Sequence, residues 1–449
     1  MRNNAPRLLL AGTGSGCGKT TVTTALLRAL QRRGVPLAAF KCGPDYIDPM
    51  FHTEALGVPS RNLDLFFVDE TEVRGQLARH VPTDGVGIVE GVMGFYDGVS
   101  GTTDTASAAH LARATDTPAV LIVRPRGQSL SLAAEIRGFR DFAPNTLVGV
   151  ILNGVSAGMY PYYRAIAEKA GLRVYGFLPP VPEAEIPDRH LGLVTAAEIG
   201  GLQGKLDRLA GAAEQGLDLD GLLALARIAP PLADECAPLT SVVDKPVRIA
   251  VARDKAFCFY YADNFDVLRA LGTELVPFSP LTDAAIPKDI DGLYLGGGYP
   301  EVHKEQLAAN RSMRESIRNA VRGGLPTIAE CGGFLYLHRT LDGAEMAGVL
   351  DADATLTKKL QPFGYVTLTA RRDNLLCRAR EQIRAHAFHY AVSTDEGADF
   401  DAVKPNGRAW TCVYATETLY AGFPHLYFRA NPAFAENFVR ACARRRDET

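Results

Sequence analysis

The sequence predicts an α/β protein of two doubly wound domains, each with a mainly parallel sheet between layers of helices. Short apolar runs of strand length alternate with helical patterns in both halves of the chain, as parallel sheets require. Two glycine-containing turns, at 12–18 and 332–333, each join an apolar strand to a helix. A proline-containing stretch at 229–246 has the composition of a linker. We therefore predict domains of residues 1–243 and 244–449.

The composition excludes several classes of protein. The chain has 449 residues and a formal net charge of -3, so no basic excess indicates nucleic acid or an acidic membrane surface. Its eight cysteines include no C-x-x-C pair, which argues against a disulfide framework or a zinc site. The N-terminus lacks the pattern of a signal peptide, and no run is long enough to span a membrane. We expect a cytoplasmic protein.

The first strand, Leu8–Ala11, leads into a glycine-rich loop and then a helical pattern over Val22–Leu30. Such a loop lets backbone N–H groups turn toward phosphate oxygens, and the helix N-terminus adds a favourable dipole. Lys19 would reach the β- and γ-phosphates, and the Thr20 hydroxyl would hold Mg²⁺. The strict phosphate-loop motif places glycine at position 13, whereas here it stands at Gly12. A glycine-rich turn that binds nothing is the alternative. The loop residues predicted to bind nucleotide are Gly14, Gly16, Gly18, Lys19, Thr20 and Thr21.

Four further apolar strands follow in this half, and helical patterns such as Ser131–Phe139 and Tyr160–Ala170 separate some of them. The strands are predicted at Pro36–Lys41, Gly87–Val92, Ala119–Val123 and Leu147–Asn153. Ligands of parallel sheets bind beyond the carboxyl ends of the strands. The unusual polar residues of this half stand at those ends, and they are Lys41, Asp45, Asp48, Glu90 and Asp97.

Glu90 ends an otherwise apolar strand, where a carboxylate needs a partner. Mg²⁺ is a suitable partner, because metal-held phosphates usually require one or two carboxylates as well. A buried structural glutamate is the alternative for Glu90, and turn formation is the alternative for Asp45, Asp48 and Asp97. Taken together, the acids predict a shell in which Thr20, Asp48 and Glu90 bind metal. In the same shell Asp45, Asp48 and Asp97 would contact substrate.

Beyond Leu178 the chain becomes proline-rich, and helical patterns follow at Ala196–Leu209 and Leu219–Arg227. The second half resumes the strand and helix alternation. Its predicted elements are a strand from Val247, a helix at Tyr260–Leu271 and strands at Glu274–Phe278, Asp291–Leu295 and Pro326–Ala329.

Cys331 follows the last of these strands and precedes Gly332, Gly333 and a helix that opens at Phe334. This is the pattern of a nucleophile on a sharp strand-to-helix turn. We expect the helix N-terminus to lower the pKa of the thiol, and the Gly332 N–H to face a developing oxyanion. A second donor would come from the turn at Gly297–Gly298. The other seven cysteines have no such setting.

A cysteine nucleophile needs a base, and the candidates are His386, His389 and His425. His425 is favoured, because it lies between a turn with Gly422 and Pro424 and an apolar stretch. A structural role is the alternative for each histidine.

Considered together, the motifs closely resemble those of the cobyrinic acid a,c-diamide synthase family. The matching segments are AGTGSGCGKTT, FKCGPDYIDPMFH, LDLFF, EGVMGFYDG, GGGYPE, AECGGFLYL, FGYVTL, AHAFHY and GFPHLYF. They extend from residue 11 to residue 428. Each is moderately specific, and their number and order are much more so.

The resemblance implies an N-terminal ATP-dependent amidoligase domain similar to dethiobiotin synthetase, including the shifted glycine loop. It implies a C-terminal class I glutamine amidotransferase domain in which Cys331 is the nucleophile and His425 its base. Lys41 is implied to bind nucleotide, and Asp45, Asp48, Glu90 and Asp97 to surround ATP, Mg²⁺ and a corrinoid acid. The implied enzyme is a carbon–nitrogen ligase that uses ATP and glutamine as co-substrates. It would convert the a- and c-carboxylates of cobyrinic acid to amides through acyl phosphates, and its oligomeric state, a homodimer or another form, is open.

Two positions depart from the family pattern. Many members carry an acid where Ala387 stands here, and a histidine at the position of Tyr427. Triad amidotransferases often place a glutamate at this second position, two residues after the histidine. The sequence therefore leaves open which residue orients His425.

Two alternative functions remain at this stage. Relatives apply the same chemistry to hydrogenobyrinic acid, to the nickel tetrapyrrole Ni-sirohydrochlorin or to other corrin carboxylates. A non-enzymatic P-loop switch protein is the second alternative, although it would not need a cysteine at a sharp turn. Release of glutamate from glutamine distinguishes the enzyme from the switch.

Overall fold

A computed structural model describes residues 2–184, 188–189, 192–193 and 199–448 of the chain. Its contacts divide the chain into two compact units, Met1–Ala237 and Pro238–Thr449. The division falls in the stretch predicted to be a linker, a few residues before position 243.

The first unit is built on a sheet of seven parallel strands. In chain order these are β1 Arg7–Gly12, β2 Leu37–Cys42, β3 Ser60–Leu63, β4 Val86–Glu90, β5 Ala119–Val123, β6 Leu147–Asn153 and β7 Arg173–Leu178. Across the sheet their order is β3-β2-β4-β1-β5-β6-β7. Strand β1 is central and buried along its whole length, so the loop that follows it lies at the middle of the carboxyl edge.

Eight α-helices of the first unit lie in the described part of the chain. They are α1 Lys19–Arg32, α2 Ile47–Leu56, α3 Glu70–His80, α4 Ala108–Ala114, α5 Ser131–Asp141, α6 Tyr160–Glu168, α7 Leu202–Gly216 and α8 Leu219–Arg227. A core cluster joins apolar side chains of α1, α7 and α8 to the central strands. An antiparallel pair of two-residue strands, Arg2–Asn3 with Leu232–Ala233, brings the two ends of this unit together.

The second unit contains a six-stranded, mostly parallel sheet and a five-stranded antiparallel sheet. Their strands are β8 Val247–Ala252, β9 Thr273–Phe278, β10 Gly292–Leu295, β11 Thr327–Glu330, β12 Gly364–Ala370, β13 Gln382–Ala387, β14 Phe400–Val403, β15 Ala409–Cys412, β16 Tyr414–Ala415, β17 Leu419–Gly422 and β18 His425–Leu426. The first sheet has the order β9-β8-β10-β11-β17-β16, and only the edge strand β16 is antiparallel. The second has the order β15-β14-β12-β13-β18.

The helices of the second unit cover both faces of its parallel sheet. They are α9 Ala262–Ala270, α10 Lys304–Ala309, α11 Arg311–Arg322, α12 Gly332–Leu337 and α13 Pro432–Glu448. One core cluster includes side chains of α9, α13 and the antiparallel sheet, and another includes those of α11 and α12. A small sheet of Thr340–Leu341, Ala344–Glu345, Asp353–Leu356 and Ala391–Ser393 completes the unit.

The predicted α/β class is confirmed, since both units contain largely parallel sheets. Strands β5 and β6 have the predicted bounds, whereas the strand predicted to reach Val92 already ends at Glu90. The predicted start of the next helix, Ala196, lies outside the described residues, and the described helix α7 begins at Leu202. Across the described ranges, every helix is too short or too polar to cross a membrane.

Candidate active sites

The loop between β1 and α1 has the backbone conformation that the glycine pattern predicts. Gly16 and Gly18 adopt positive φ angles of 74° and 94°, which glycine tolerates better than other residues. A Cβ atom at Gly18 would lie 2.0 Å from Asn153 Nδ2. Asn153 itself donates to the Cys17 carbonyl oxygen at 2.9 Å. A side chain at position 18 would therefore displace the asparagine that holds the loop.

Lys19 is buried across this loop. Its Nζ donates to the carbonyl oxygens of Gly14 and Met93 at 2.9 and 2.6 Å, and burial lowers its pKa. The ammonium group thus lies among loop carbonyls, where phosphate oxygens could replace them as stronger, charged acceptors. Thr21 is exposed on the first turn of α1.

Four of the predicted residues meet in one buried cluster at the ends of β2 and β4. Thr20 Oγ1 donates to Glu90 Oε1 at 2.7 Å, and Lys41 Nζ contacts the same oxygen at 2.9 Å. Lys41 Nζ also lies 2.5 Å from Asp48 Oδ2. The lysine and both carboxylates are buried, so one cation bridges two acids away from water.

The pKa values of Glu90 and Asp48 are shifted in opposite directions by their surroundings. Burial is the largest influence on Glu90 and raises its pKa, although Lys41 opposes the shift. Burial acts in the same direction on Asp48, but the adjacent Lys41 charge and then His52 outweigh it, and the pKa of Asp48 is lowered. For Lys41, burial favours the neutral amine, but the charges of Asp48 and Glu90 prevail and raise its pKa. The lysine stays protonated.

His52, for which the sequence predicted no role, is fully buried beside the cluster. Its Nε2 lies 3.6 Å from Glu90 Oε2, and its Nδ1 is 3.4 Å from Ser60 Oγ. Burial lowers the pKa of His52 to about 4, so the ring is neutral at physiological pH. The i, i+4 spacing from Asp48 on α2 is the signal that could have identified it.

Asp45 and Asp97 lie at the same edge of the sheet but cap turns. Asp45 Oδ1 accepts from the Ile47 N–H at 2.9 Å, and Asp97 Oδ2 accepts from the Gly94 N–H at 2.7 Å. Burial, followed by the charge of Asp48, raises the pKa of Asp45 to about 7. Asp97 is exposed. Their predicted contact with substrate remains a prediction.

The cluster suits a magnesium ion. Glu90 Oε2 is buried and has no hydrogen-bond partner among the described residues, whereas its Oε1 accepts from Thr20 and Lys41. Hydroxyl and carboxylate oxygens are the ligands that Mg²⁺ prefers. Of the predicted metal ligands, Thr20 and Glu90 are in direct contact, and Asp48 is joined to Glu90 through Lys41. Their binding of metal remains a prediction.

In the second unit, Cys331 occupies the predicted sharp turn between β11 and α12. Its backbone has φ 46° and ψ -99°, a conformation that is strained for a residue with a side chain. The Cys331 N–H donates to the Gly422 carbonyl oxygen at 2.8 Å, which ties the turn to the end of β17. The thiol therefore has a position fixed by two adjacent strands.

The two predicted oxyanion donors lie side by side. A Cβ atom at Gly332 would lie 3.0 Å from the backbone nitrogen of Gly298. The preceding residue, Gly297, faces the imidazole, because a Cβ atom there would lie 2.3 Å from His425 Cε1. The turn at Gly297–Gly298 therefore reaches both the proposed nucleophile turn and the proposed base.

The pKa of Cys331 differs from expectation, whereas His425 is neutral, as a base must be. Burial, then the charge of Glu301, raises the pKa of the Cys331 thiol to about 12, and the Gly332 N–H opposes this only in part. The expected lowering of this pKa is wrong, because removal of the thiol from water outweighs the effect of the Gly332 N–H. Burial, then His386 and His389, lowers the pKa of His425 to about 3. In the resting site both groups are neutral.

The three candidate histidines lie in one region but in different settings. His425 in β18 pairs across the antiparallel sheet with His386 in β13. His389 Nδ1 lies 2.8 Å from the Ala391 carbonyl oxygen, and its ring stacks on Phe423 with 3.6 Å between centroids. These contacts give His389 a packing role.

Glu330, for which the sequence also predicted no role, immediately precedes Cys331 and is buried below the turn. Its Oε1 accepts from the Leu426 N–H at 2.9 Å, and its Oε2 accepts from the Tyr294 hydroxyl at 2.9 Å. Glu330 Oε2 also lies 3.7 Å from His425 Nδ1. The signal was a carboxylate at the end of a strand that is otherwise apolar, as at Glu90.

Comparison with known proteins agrees with this division of chemistry. Residues 8–194 match the family described as the CobQ/CobB/MinD/ParA nucleotide binding domain, and residues 248–433 match the CobB/CobQ-like glutamine amidotransferase domain. Three similar proteins are named cobyrinate a,c-diamide synthase. The one from Clostridium acetobutylicum is 39% identical, covering 96% of this chain and 99% of its own. Those from Thermoplasma volcanium and Methanothermobacter thermautotrophicus are each 40% identical, covering 98% and 97% of this chain and 98% and 99% of their own. The chain therefore belongs to the cobyrinate a,c-diamide synthase family of glutamine-dependent amidating ligases.

Proposed function

We propose that this protein amidates the a- and c-carboxylates of cobyrinic acid, with ATP as the activating reagent and glutamine as the nitrogen donor. The observation that carries the proposal is the pair of sites described above. A phosphate loop with buried acids supports carboxylate activation, and a strained cysteine turn with a neighbouring histidine supports release of ammonia. Neither chemistry alone explains both sites.

The glutaminase reaction uses the residues around Cys331. The sulfur attacks the side-chain amide carbon of glutamine, and the thiol proton passes to His425. The N–H groups of Gly298 and Gly332 stabilise the oxyanion that develops. His425 then returns the proton to the departing nitrogen, which leaves as ammonia, and water hydrolyses the thioester to glutamate. Because the resting thiol is neutral, the proton transfer accompanies the attack.

The synthetase reaction uses the residues around the phosphate loop. A carboxylate oxygen of the corrinoid acid attacks the γ-phosphorus of ATP, and ADP leaves. Lys19 and the loop amides offset the charge that develops on the phosphate oxygens. Thr20, Asp48 and Glu90 would hold Mg²⁺, which supplies positive charge next to the phosphates when bound. Ammonia then attacks the acyl carbon and displaces phosphate, which leaves an amide.

The decisive experiment combines the protein with ATP, Mg²⁺, glutamine and a panel of tetrapyrrole acids. The panel contains cobyrinic acid, hydrogenobyrinic acid and Ni-sirohydrochlorin, and the products are weighed by mass spectrometry. Each amidation replaces a hydroxyl by an amino group, so the mass gives the number of amides. Two amides on cobyrinic acid would support the proposal. Preferred amidation of another acid would reassign the substrate, and failure to release glutamate would contradict the glutaminase reaction.

A further inference from the structure

We infer that Glu330 is the positioning residue that orients His425, in place of an acid two residues after the histidine. The inference rests on the proposed roles of Cys331 and His425. It answers a question that the sequence leaves open, since Tyr427 occupies the position where many triad amidotransferases carry a glutamate.

The carboxylate of Glu330 is held in a fixed orientation. The residue is 1% exposed. Its Oε1 accepts the Leu426 N–H, from the residue that directly follows His425, and its Oε2 accepts the Tyr294 hydroxyl. Hydrogen bonds to both oxygens define the plane of the carboxylate. They also connect β11, which carries the nucleophile, to β10 and β18.

The same carboxylate faces the imidazole. Glu330 Oε2 lies 3.7 Å from His425 Nδ1, which is beyond hydrogen-bond range but needs a shift of less than 1 Å to form one. Catalytic hydrogen bonds are often long in structures without substrate and shorten in the complex. On its other side the ring packs against Gly297. The imidazole is therefore confined between a turn and a carboxylate.

Tyr427 is unsuited to this task. It is fully buried, and its ring meets that of Tyr261 edge to face, with 5.2 Å between centroids. A phenol is also not a charged acceptor at physiological pH. Position 427 thus serves packing, and the acid comes from β11, a strand of the other sheet.

An acceptor at Nδ1 determines which nitrogen of His425 is the base. When Glu330 accepts the Nδ1–H, the lone pair of Nε2 is the one that takes the thiol proton, and the carboxylate stabilises the imidazolium that results. The proton moves from sulfur to Nε2 and then to the departing ammonia. Glu330 keeps its charge and takes no proton in the reaction.

This role requires the ionised carboxylate, and the surroundings of Glu330 make ionisation pH-dependent. Burial raises its pKa to about 8, while the Leu426 N–H and the Tyr294 hydroxyl partly oppose the shift. The titratable groups that interact electrostatically with Glu330 are Tyr260, Tyr294, Tyr420, Cys331 and His425. Each of these is neutral near neutral pH. Glutaminase activity should therefore rise with pH as Glu330 loses its proton.

The test compares Glu330→Gln and Glu330→Asp with the wild-type full-length protein. Glutamate release gives kcat and KM for glutamine from about pH 6 to about pH 10. The amide preserves the shape but lacks the charge, and it can donate to Nδ1 and stabilise the wrong tautomer. In a serine protease the equivalent change lowers kcat about 10⁴-fold. We expect Glu330→Gln to lower kcat at least about 100-fold with little change in KM, and to lose the rise near pH 8. Glu330→Asp should keep that rise and an intermediate kcat.

Asp291→Asn is the matched control. Asp291 is also buried and accepts a backbone N–H, from Arg248 at 2.8 Å. It lies just before β10, at the amino edge of the parallel sheet, whereas Cys331 follows the carboxyl end of β11. A loss caused only by neutralising a buried acid should appear in this variant too.

Wild-type kcat and pH profile in Glu330→Gln would overturn the inference. Cys331→Ala is measured in parallel, because glutamine-dependent activity in that variant would instead contradict the proposed function. Should Glu330→Gln fail to fold, as judged by circular dichroism and thermal unfolding, Glu330→Asp decides. A lower kcat at constant KM would then support the positioning role, and an unchanged kcat would refute it.

Discussion

Replacing Lys41 by methionine tests whether one cation stabilises the buried acids of the first unit. Lys41 Nζ lies 2.5 Å from Asp48 and 2.9 Å from Glu90. Methionine keeps an apolar stem of similar length but leaves two buried carboxylates without this partner. Removal of one partner of a buried pair costs about 3–5 kcal/mol, and both pairs share the same lysine, so the loss is not doubled. We expect local stability at this edge to fall by about 3–5 kcal/mol at neutral pH.

The sign of the pH dependence follows from the carboxyl groups. In the wild type, burial raises the pKa of Asp48 less than Lys41 lowers it, so the stabilisation from Asp48 is lost as the pH falls through its folded-state pKa. Without Lys41, burial dominates and both acids have raised folded-state pKa values. A group of that kind stabilises the fold in acid and loses this contribution as the pH rises. The stability difference between variant and wild type should therefore be smallest in acid and largest at neutral pH.

Hydrogen exchange of the full-length protein measures this local stability in peptides that cover 37–56 and 86–97. Lys169→Met, an exposed lysine on the same unit, is the control and should change stability by less than about 0.5 kcal/mol. The double variant Lys41→Met with Glu90→Gln should recover part of the loss, because one unpaired charge is removed. Equal protection of Lys41→Met and wild type at about pH 5 and about pH 7.5 would refute the reasoning.

The remaining predictions concern the two half-reactions. Lys19→Ala should abolish ATP-dependent amidation while glutamate release persists, as measured by product mass and by a glutamate assay. Normal amidation would contradict the phosphate-loop assignment. Glu90→Gln should raise the Mg²⁺ concentration required for half-maximal amidation, which a magnesium titration measures, and an unchanged requirement would exclude Glu90 as a ligand. Cys331→Ala should lose glutamine-dependent amidation but keep amidation with ammonium salt at high pH, and loss of both in a folded protein would contradict the separation. Gly297→Ala should lower the kcat of glutamate release about 10-fold or more, because its methyl group would displace the His425 ring; a wild-type kcat would show that the ring tolerates the shift.

The elements that could be predicted from sequence are those with a strong local pattern. Strand β5 is a continuous apolar run, because both of its faces are buried, and β6 is nearly so, although Val148 is exposed. Strand β3, Ser60–Leu63, was missed, since this edge strand has the mixed sequence SRNL and pairs on one side only. Strand β7, at the opposite edge of the sheet, was not predicted either, and its sequence RVYGFL includes a glycine. Edge strands carry weaker hydrophobic patterns, so their positions depend on tertiary pairing.

The same distinction applies to the sites. Lys19 and Cys331 lie in short motifs. The residues next to them in sequence predict the strand, turn and helix that position them. His52 and Glu330 lie within matched segments, but the groups they face, Glu90 and His425, are distant in sequence. Glu330 and the Leu426 N–H are 96 residues apart, and only the packing of β18 beside β11 brings them into contact. Sequence could predict that an acid was missing at position 427 but could not identify the acid in its place.

Burial keeps the proposed nucleophile, Cys331, neutral, and it also explains why a third residue is needed beside His425. It is the largest cause of both the raised pKa of Cys331 and the lowered pKa of His425. Burial therefore disfavours both the thiolate and the imidazolium. Charge separation must therefore occur during attack on glutamine, when Gly298 and Gly332 can stabilise the oxyanion. An imidazolium formed in so apolar a place needs a nearby negative charge, and water cannot provide it. In our proposal Glu330, the residue before Cys331, provides that charge. Its own burial raises its pKa to about 8. In the proposed mechanism, the removal from water that keeps the resting thiol neutral thus makes glutaminase activity depend on the ionisation of Glu330.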